Sequence, residues 1–209
     1  VRVLNLYAGI GGNRKLWQDV EVTAVENNPF IAEIYHDFFP NDKIIVGDAH
    51  QYLLDHFEEY DFIWSSPPCP THSRINTLLV TGRNLIKARY PDMKLYEEIV
   101  FLKHWYKKGN WVVENVRSYY KPLIEPQEIG RHYFWTNFII TKFVGKWKMV
   151  RNNKGNTLSK KMADRDTFIN NFHGYGGDKR TLLSNMIEPE LGFHILNESK
   201  RDLYPELFR

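Results

Sequence analysis

The sequence predicts an α/β fold, a doubly wound and mostly parallel sheet, on three observations. Short β-rich runs alternate with amphipathic segments along the first two thirds of the chain, a glycine-rich turn follows the first run directly, and polar residues stand just after run after run. Strands alternating with helices at this spacing favour a parallel sheet covered on both faces. Ligands bind such sheets beyond the carboxyl ends of the strands. Function should therefore be sought at residues 7–12, 26, 48, 65–69 and 114–115.

In chain order, residues 3–6 read as the first strand and 14–19 as a short helix. A strand at 22–25, a helix at 30–39, a strand at 43–46 and a helix at 50–58 follow. Residues 62–64 and 111–113 complete the strand set, with a helix over 94–107 between them. From 142 to 178 the alternation fails and the chain turns polar, basic and rich in Asn and Gly, which reads as an irregular insert. A last amphipathic stretch at 179–196 reads as a helix returning to the sheet. The expected organisation is a catalytic and cofactor-binding unit at 1–141, a short basic target-recognition insert at 142–178, and a C-terminal segment at 179–209.

Composition narrows the function classes. A chain of 209 residues holds one domain with a full core. No stretch approaches the roughly 20 apolar residues of a membrane span, so no membrane partner is expected. Residues 1–7 lack the pattern of a secretory leader and read at once as a strand, from which a cytoplasmic location is expected. The single cysteine, Cys69, can make neither an internal disulfide nor, alone, a zinc site. It is packing or chemistry, and no metal is expected. The net charge of +3 is small, but Lys142, Lys146, Lys148, Arg151, Lys154, Lys160, Lys161 and Arg165 are opposed in their window only by Asp164. Such a run either neutralises phosphates or is a solvated loop.

The turn Ala8-Gly9-Ile10-Gly11-Gly12 allows positive φ and close approach of a ligand to backbone. The second strand ends in Glu26, placed to accept from both ribose hydroxyls of an adenine nucleoside. Asp48 reads either as an acceptor for the adenine amine or as a helix N-cap. The full G-x-G-x-x-G spacing is missing, and no arginine immediately follows Glu26. These features favour S-adenosylmethionine, which has no pyrophosphate to cradle, over a dinucleotide.

The fourth strand ends in Ser65-Ser66-Pro67-Pro68-Cys69-Pro70, where prolines stiffen a turn that puts a thiol at the mouth of the cleft. A lone cysteine also reads as a small buried hydrophobe. The fifth strand ends in Glu114, whose carboxyl, if buried, could donate a proton to a base nitrogen.

These segments resemble, in order, the motifs of the cytosine-5 DNA methyltransferases: residues 5–12 the first, 24–29 the second, Gly47-Asp48-Ala49 the third, Pro67-Pro68-Cys69 the nucleophile motif and Glu114-Asn115-Val116 the carboxylate motif. The resemblance extends over nearly the whole chain. It implies the Rossmann-like fold of class I methyltransferases, S-adenosylmethionine as cofactor, and transfer of methyl to carbon 5 of a flipped cytosine through a covalent Cys69 adduct. It implies Cys69, Glu114 and Arg131 as catalytic residues. It implies Tyr7, Ala8, Gly9, Gly11, Gly12, Glu26, Asn27, Asp48, Ala49, Pro67 and Asn185 around the cofactor.

The chain departs from the family pattern at several places. Pro70 stands where glutamine is usual, His72 takes an aromatic position, and the arginine motif over 127–133 survives only in part, with Arg131 its candidate to contact the cytosine carbonyl or else a surface strand residue. Residues 183–187 resemble the last family motif with serine for glycine, and Asn185 there either caps the cofactor pocket or caps a helix. The target-recognition region is short. Ser73, Arg74, Arg83, Arg89, Lys146, Lys148 and Arg151 are expected to meet double-stranded DNA, chiefly at phosphates, which position a duplex without specifying sequence. A modification enzyme of bacterial or phage type is the leading expectation. A tRNA cytosine-5 methyltransferase and a silent nucleic-acid-binding homologue are the alternatives.

Overall fold

Strand β1 (Arg2–Leu6) explains why the sheet is buried on both sides: Leu4 and Leu6 enter one hydrophobic cluster and Val3 the other. Alternate residues of a strand point to opposite faces, so both faces need cover. The computed structural model describes residues 1–74, 90–143 and 186–203. Beside β1 lie β2 (Glu21–Glu26) and β3 (Lys43–Val46) on one side, and β4 (Phe62–Ser65) and β5 (Asn110–Val116) on the other. These five strands are parallel. β7 (His132–Thr136) runs antiparallel to β5, and β6 (Gln127–Ile129) antiparallel to β7, giving the seven-strand order β3-β2-β1-β4-β5-β7-β6.

Helices α2 (Ala49–His56) and α3 (Lys94–Trp105) supply Leu53, Leu95, Ile99 and Leu102 to the cluster that includes Leu4, Leu6, Ile63 and Val113. The other face is covered by α4 (Pro189–Leu203), whose Leu191, Ile195 and Leu196 meet Val3, Phe62, Trp64 and Phe134. Helix α1 (Pro29–Phe38) brings Tyr35 against Ala24. Asn28 caps α1, its side chain accepting from the backbone N–H groups of Phe30 and Ile31, and Pro29 begins the helix where its missing N–H costs nothing. No helix among the described residues is long and apolar enough to cross a membrane.

Two expectations need correction, and one further element appears beside them. Residues 14–19 do not form a helix. They make successive tight turns, with Arg14 N–H donating to the Gly11 carbonyl and Trp17 N–H to that of Arg14. The Arg14 guanidinium grips Asp42 through two bonds of 2.8 and 2.9 Å while also donating to the Trp17 carbonyl, which draws this segment down onto the sheet edge. The helix expected over 179–196 is not continuous: Met186–Glu188 have no regular structure and the helix begins at Pro189, while residues 179–185 lie outside the described residues. The β6–β7 hairpin was not foreseen. Its two-residue turn is Gly130-Arg131, and Gly130 holds φ +60°, as tight hairpin turns require.

Candidate active site

The carboxyl ends of β1, β2, β4 and β5 converge through hydrogen bonds that the sequence motifs supply. At the end of β1, Tyr7 and Gly9 adopt φ of +54° and Gly11 of +78°. Glu26, buried at the end of β2, accepts from Gly9 N–H through Oε2 and from Asn28 N–H through Oε1, both at 3.0 Å. Each carboxylate oxygen has a second lone pair for a ligand hydroxyl. A Cβ on Gly9 would meet nothing within 4 Å, so the turn leaves open space over its backbone. Gly12 differs: a Cβ there would lie 1.8 Å from Met186 Cγ, so the loop packs directly on the segment that enters α4. An open glycine face beside a fixed carboxylate fits a nucleoside-bearing cofactor.

The other residues expected around a cofactor divide. Asp48 caps α2, its Oδ1 accepting from His50 and Gln51 N–H, and these backbone bonds hold its carboxyl below the usual range. Its Oδ2 lies 3.9 Å from Lys94 Nζ. Ala8 and Ala49 are buried, Asn27 is exposed, and Pro67 is buried with its carbonyl accepting from Asn115 Nδ2 at 2.9 Å. Asn185 lies outside the described residues.

Beneath this loop sits a carboxylate that the sequence did not flag. Glu98 of α3 is fully buried and accepts from Tyr7 hydroxyl at 2.6 Å and Ser65 hydroxyl at 2.5 Å, with His50 Nδ1 at 3.1 Å. Burial and the Glu98 charge push the Tyr7 hydroxyl far above its ordinary pKa, so it stays a donor, while the bond to Glu98 raises His50. Glu98 thus ties α3, α2 and the ends of β1 and β4 together. Only the three-dimensional arrangement marks it, since in sequence it is one glutamate among the polar residues of an amphipathic helix.

Cys69 is half-buried four residues beyond β4. Its carbonyl accepts from the N–H groups of His72 and Ser73, closing a turn, and the Asn115–Pro67 bond ties that turn to β5. Burial, then the charge of Glu114, push the thiol pKa up, countered by Arg131 and a local backbone bond. The resting group is therefore a thiol. His72 fills the position of the usual aromatic: its ring is buried, Nδ1 is 2.5 Å from Tyr120 hydroxyl, and burial lowers its pKa. Ser73 bridges to Ser118, and exposed Arg74 donates from Nε to the Ser118 carbonyl. Arg83, Arg89, Lys146, Lys148 and Arg151 lie outside the described residues.

Glu114 is buried near the end of β5, its Oε1 2.6 Å from His132 Nδ1. Arg131 donates from Nε to His132 Nε2 at 3.1 Å, and its Nη2 is 3.8 Å from Glu188. Arg131 therefore stands at the hairpin turn between β6 and β7 and not along a strand. His132 escaped the sequence reading because its meeting with Glu114 depends on the β5–β7 register, which no local pattern announces. Among the described residues, no group of three or more His, Cys, Asp or Glu is placed to hold a metal ion.

The protein family described as C-5 cytosine-specific DNA methylase matches residues 1–119. Among solved structures, a mutant DNMT2 of Spodoptera frugiperda is 24% identical with a TM-score of 0.41, the match covering 55% of this chain and 35% of that one. The methyltransferase EhMeth of Entamoeba histolytica is 16% identical with a TM-score of 0.37, covering 56% of this chain and 38% of that one. This chain thus matches well under half the length of either. No curated protein matches it in sequence.

Proposed function

Because the chain belongs to the C-5 cytosine-specific DNA methylase family, we propose that it methylates carbon 5 of cytosine in double-stranded DNA, using S-adenosylmethionine and a covalent Cys69 adduct. The observation that supports this most is the placement of Cys69 just beyond β4 and of Glu114 near the end of the adjacent strand β5, with the two segments joined by the Asn115–Pro67 bond.

Cytosine carbon 5 is a weak nucleophile. Addition of a thiolate at carbon 6 makes carbon 5 enamine-like, and this is what Cys69 does. Its thiol carries a proton at rest, and that proton passes to solvent as the S–C6 bond forms; after methyl transfer the carbon 5 proton is lost to a base and the S–C6 bond breaks, returning the sulfur. Glu114 holds the base edge and donates a proton to N3 as charge builds on the ring, while Arg131 contacts the carbonyl oxygen. Bound S-adenosylmethionine supplies an electrophilic methyl group. The residues that would hold it are Glu26 at the ribose, the turn of Gly9, Gly11 and Gly12, Tyr7 and Asp48 beside it, and Asn185. The target base must leave the helix stack to reach this cleft. Ser73 and Arg74, beside Cys69, and the basic residues Arg83, Arg89, Lys146, Lys148 and Arg151 engage the DNA backbone.

Trapping tests this reading. Duplex DNA carrying 5-fluorocytosine, mixed with protein and S-adenosylmethionine, is expected to give an adduct that survives denaturation and is absent from Cys69→Ser. An adduct formed on fluorocytosine tRNA and not on DNA would reassign the substrate. No adduct on either would overturn the covalent mechanism.

A further inference from the structure

His132 lies where its chemistry can be read from its partners. Residues 114 and 132 share one face of the β5–β7 pair: Glu114 stands opposite Phe134, and His132 is two residues along on the same strand. Diagonal neighbours of this kind are within reach of long side chains. Both are buried, and the Nδ1–Oε1 distance of 2.6 Å is short for a nitrogen–oxygen bond.

The second ring nitrogen fixes the tautomer. Arg131 Nε–H points at His132 Nε2 from 3.1 Å. A guanidinium only donates, so Nε2 must present its lone pair and the ring proton must sit on Nδ1. Nδ1–H then donates to Glu114 Oε1, and that oxygen is occupied as an acceptor. A proton that Glu114 gives to a substrate is carried by Oε2.

We propose that His132 is a positioning residue: clamped by Arg131 in its Nδ1–H tautomer, it orients the Glu114 carboxyl so that Oε2 is the oxygen that meets the base. This rests on the methyltransferase reading above. It also assigns Arg131 two tasks, since Nε is committed to the ring and the Nη nitrogens are the part that meets a substrate carbonyl. A histidine directly after the arginine therefore carries part of the orienting work in a motif that survives only partly in this sequence.

Two measurements on the intact protein test it. Long-range proton–nitrogen NMR, with the His132 signal identified by its loss in His132→Asn, is expected to show the neutral Nδ1–H tautomer and its loss in Arg131→Met. Methyl transfer is then compared for His132→Asn, whose amide N–H can replace Nδ1–H, and His132→Phe, which keeps a ring but has no donor. The phenylalanine variant is expected to lose about tenfold to a hundredfold in kcat with KM for DNA little changed, because misaiming a general acid affects the chemical step; the asparagine variant is expected to recover most of that loss. A merely structural histidine would give no such split between two variants of equal thermal stability. An Nε2–H or charged ring in the parent, or kcat within twofold for His132→Phe, overturns the proposal. If the parent transfers no methyl group to DNA or RNA, the functional reading fails, and the tautomer still decides whether the clamp exists.

Discussion

Two buried carboxylates end two strands of the same sheet and are held in different ways. Glu26, at the end of β2, is fixed by two backbone N–H groups, one on each oxygen. Glu114, near the end of β5, is held by one side chain, His132, through one oxygen. Backbone donors cannot move away without unmaking the glycine turn, and each oxygen they hold keeps a second lone pair. Glu26 is therefore suited to be a permanent acceptor, as a ribose diol needs. Glu114 is held by a side chain through Oε1, which fits the proposed contact of its other oxygen with a base. The same side chain at equivalent ends of parallel strands takes different work from its donors.

The comparison breaks first at Glu114. Glu114→Gln is expected to lower kcat by about 10² to 10⁴, the usual range for removing a general acid, with cofactor affinity unchanged. Glu26→Gln is expected to do the converse, weakening S-adenosylmethionine binding in calorimetry with a smaller loss of kcat at saturating cofactor. If both variants lose cofactor affinity alike, the division of labour is wrong.

A smaller effect separates two glycines of one turn. At Gly12 an added methyl would overlap Met186 and approach the Ile187 carbonyl to 2.7 Å, so Gly12→Ala is expected to lower stability by about 1–3 kcal/mol, the ordinary cost of overpacking. At Gly9 the space is open but φ is +54°, and Gly9→Ala is expected to cost about 1–2 kcal/mol in backbone strain while also obstructing the cofactor. Thermal melts with and without S-adenosylmethionine check both. Ligand stabilisation in Gly9→Ala equal to that of the parent would remove Gly9 from the cofactor site.

How far these features were legible follows from the range of the interactions that make them. The parallel strands were readable because hydrophobic runs and the glycine turn are local, and Glu26, Cys69 and Glu114 were readable because each lies near the end of such a run. The loss of the 14–19 helix depended on Asp42, a distant partner for Arg14. His132 and Glu98 were invisible for the same reason: one is defined by strand register across a hairpin, the other by a helix that buries its carboxyl under Tyr7 and Ser65. Asp48 is intermediate. Its capping role was readable from the helix that follows, and the structure supplies both cap bonds, while a role toward adenine is compatible with its second oxygen.

The smallest expected effect is a direct probe of the charge around Cys69. Its thiol pKa is raised by burial first and by Glu114 second, with Arg131 opposing. A raised acid pKa means less thiolate at a given pH, so alkylation by iodoacetamide should accelerate at a higher pH than for an exposed cysteine. Removing the nearby negative charge in Glu114→Gln should move that midpoint down, and removing the positive charge in Arg131→Met should move it up. Because burial is the largest cause, neither change should restore the value of a free thiol. Opposite movements in the two variants would place both charged groups within electrostatic reach of the thiol in solution. A midpoint unmoved by either would mean that solvent screens them, and that burial alone tunes the thiol.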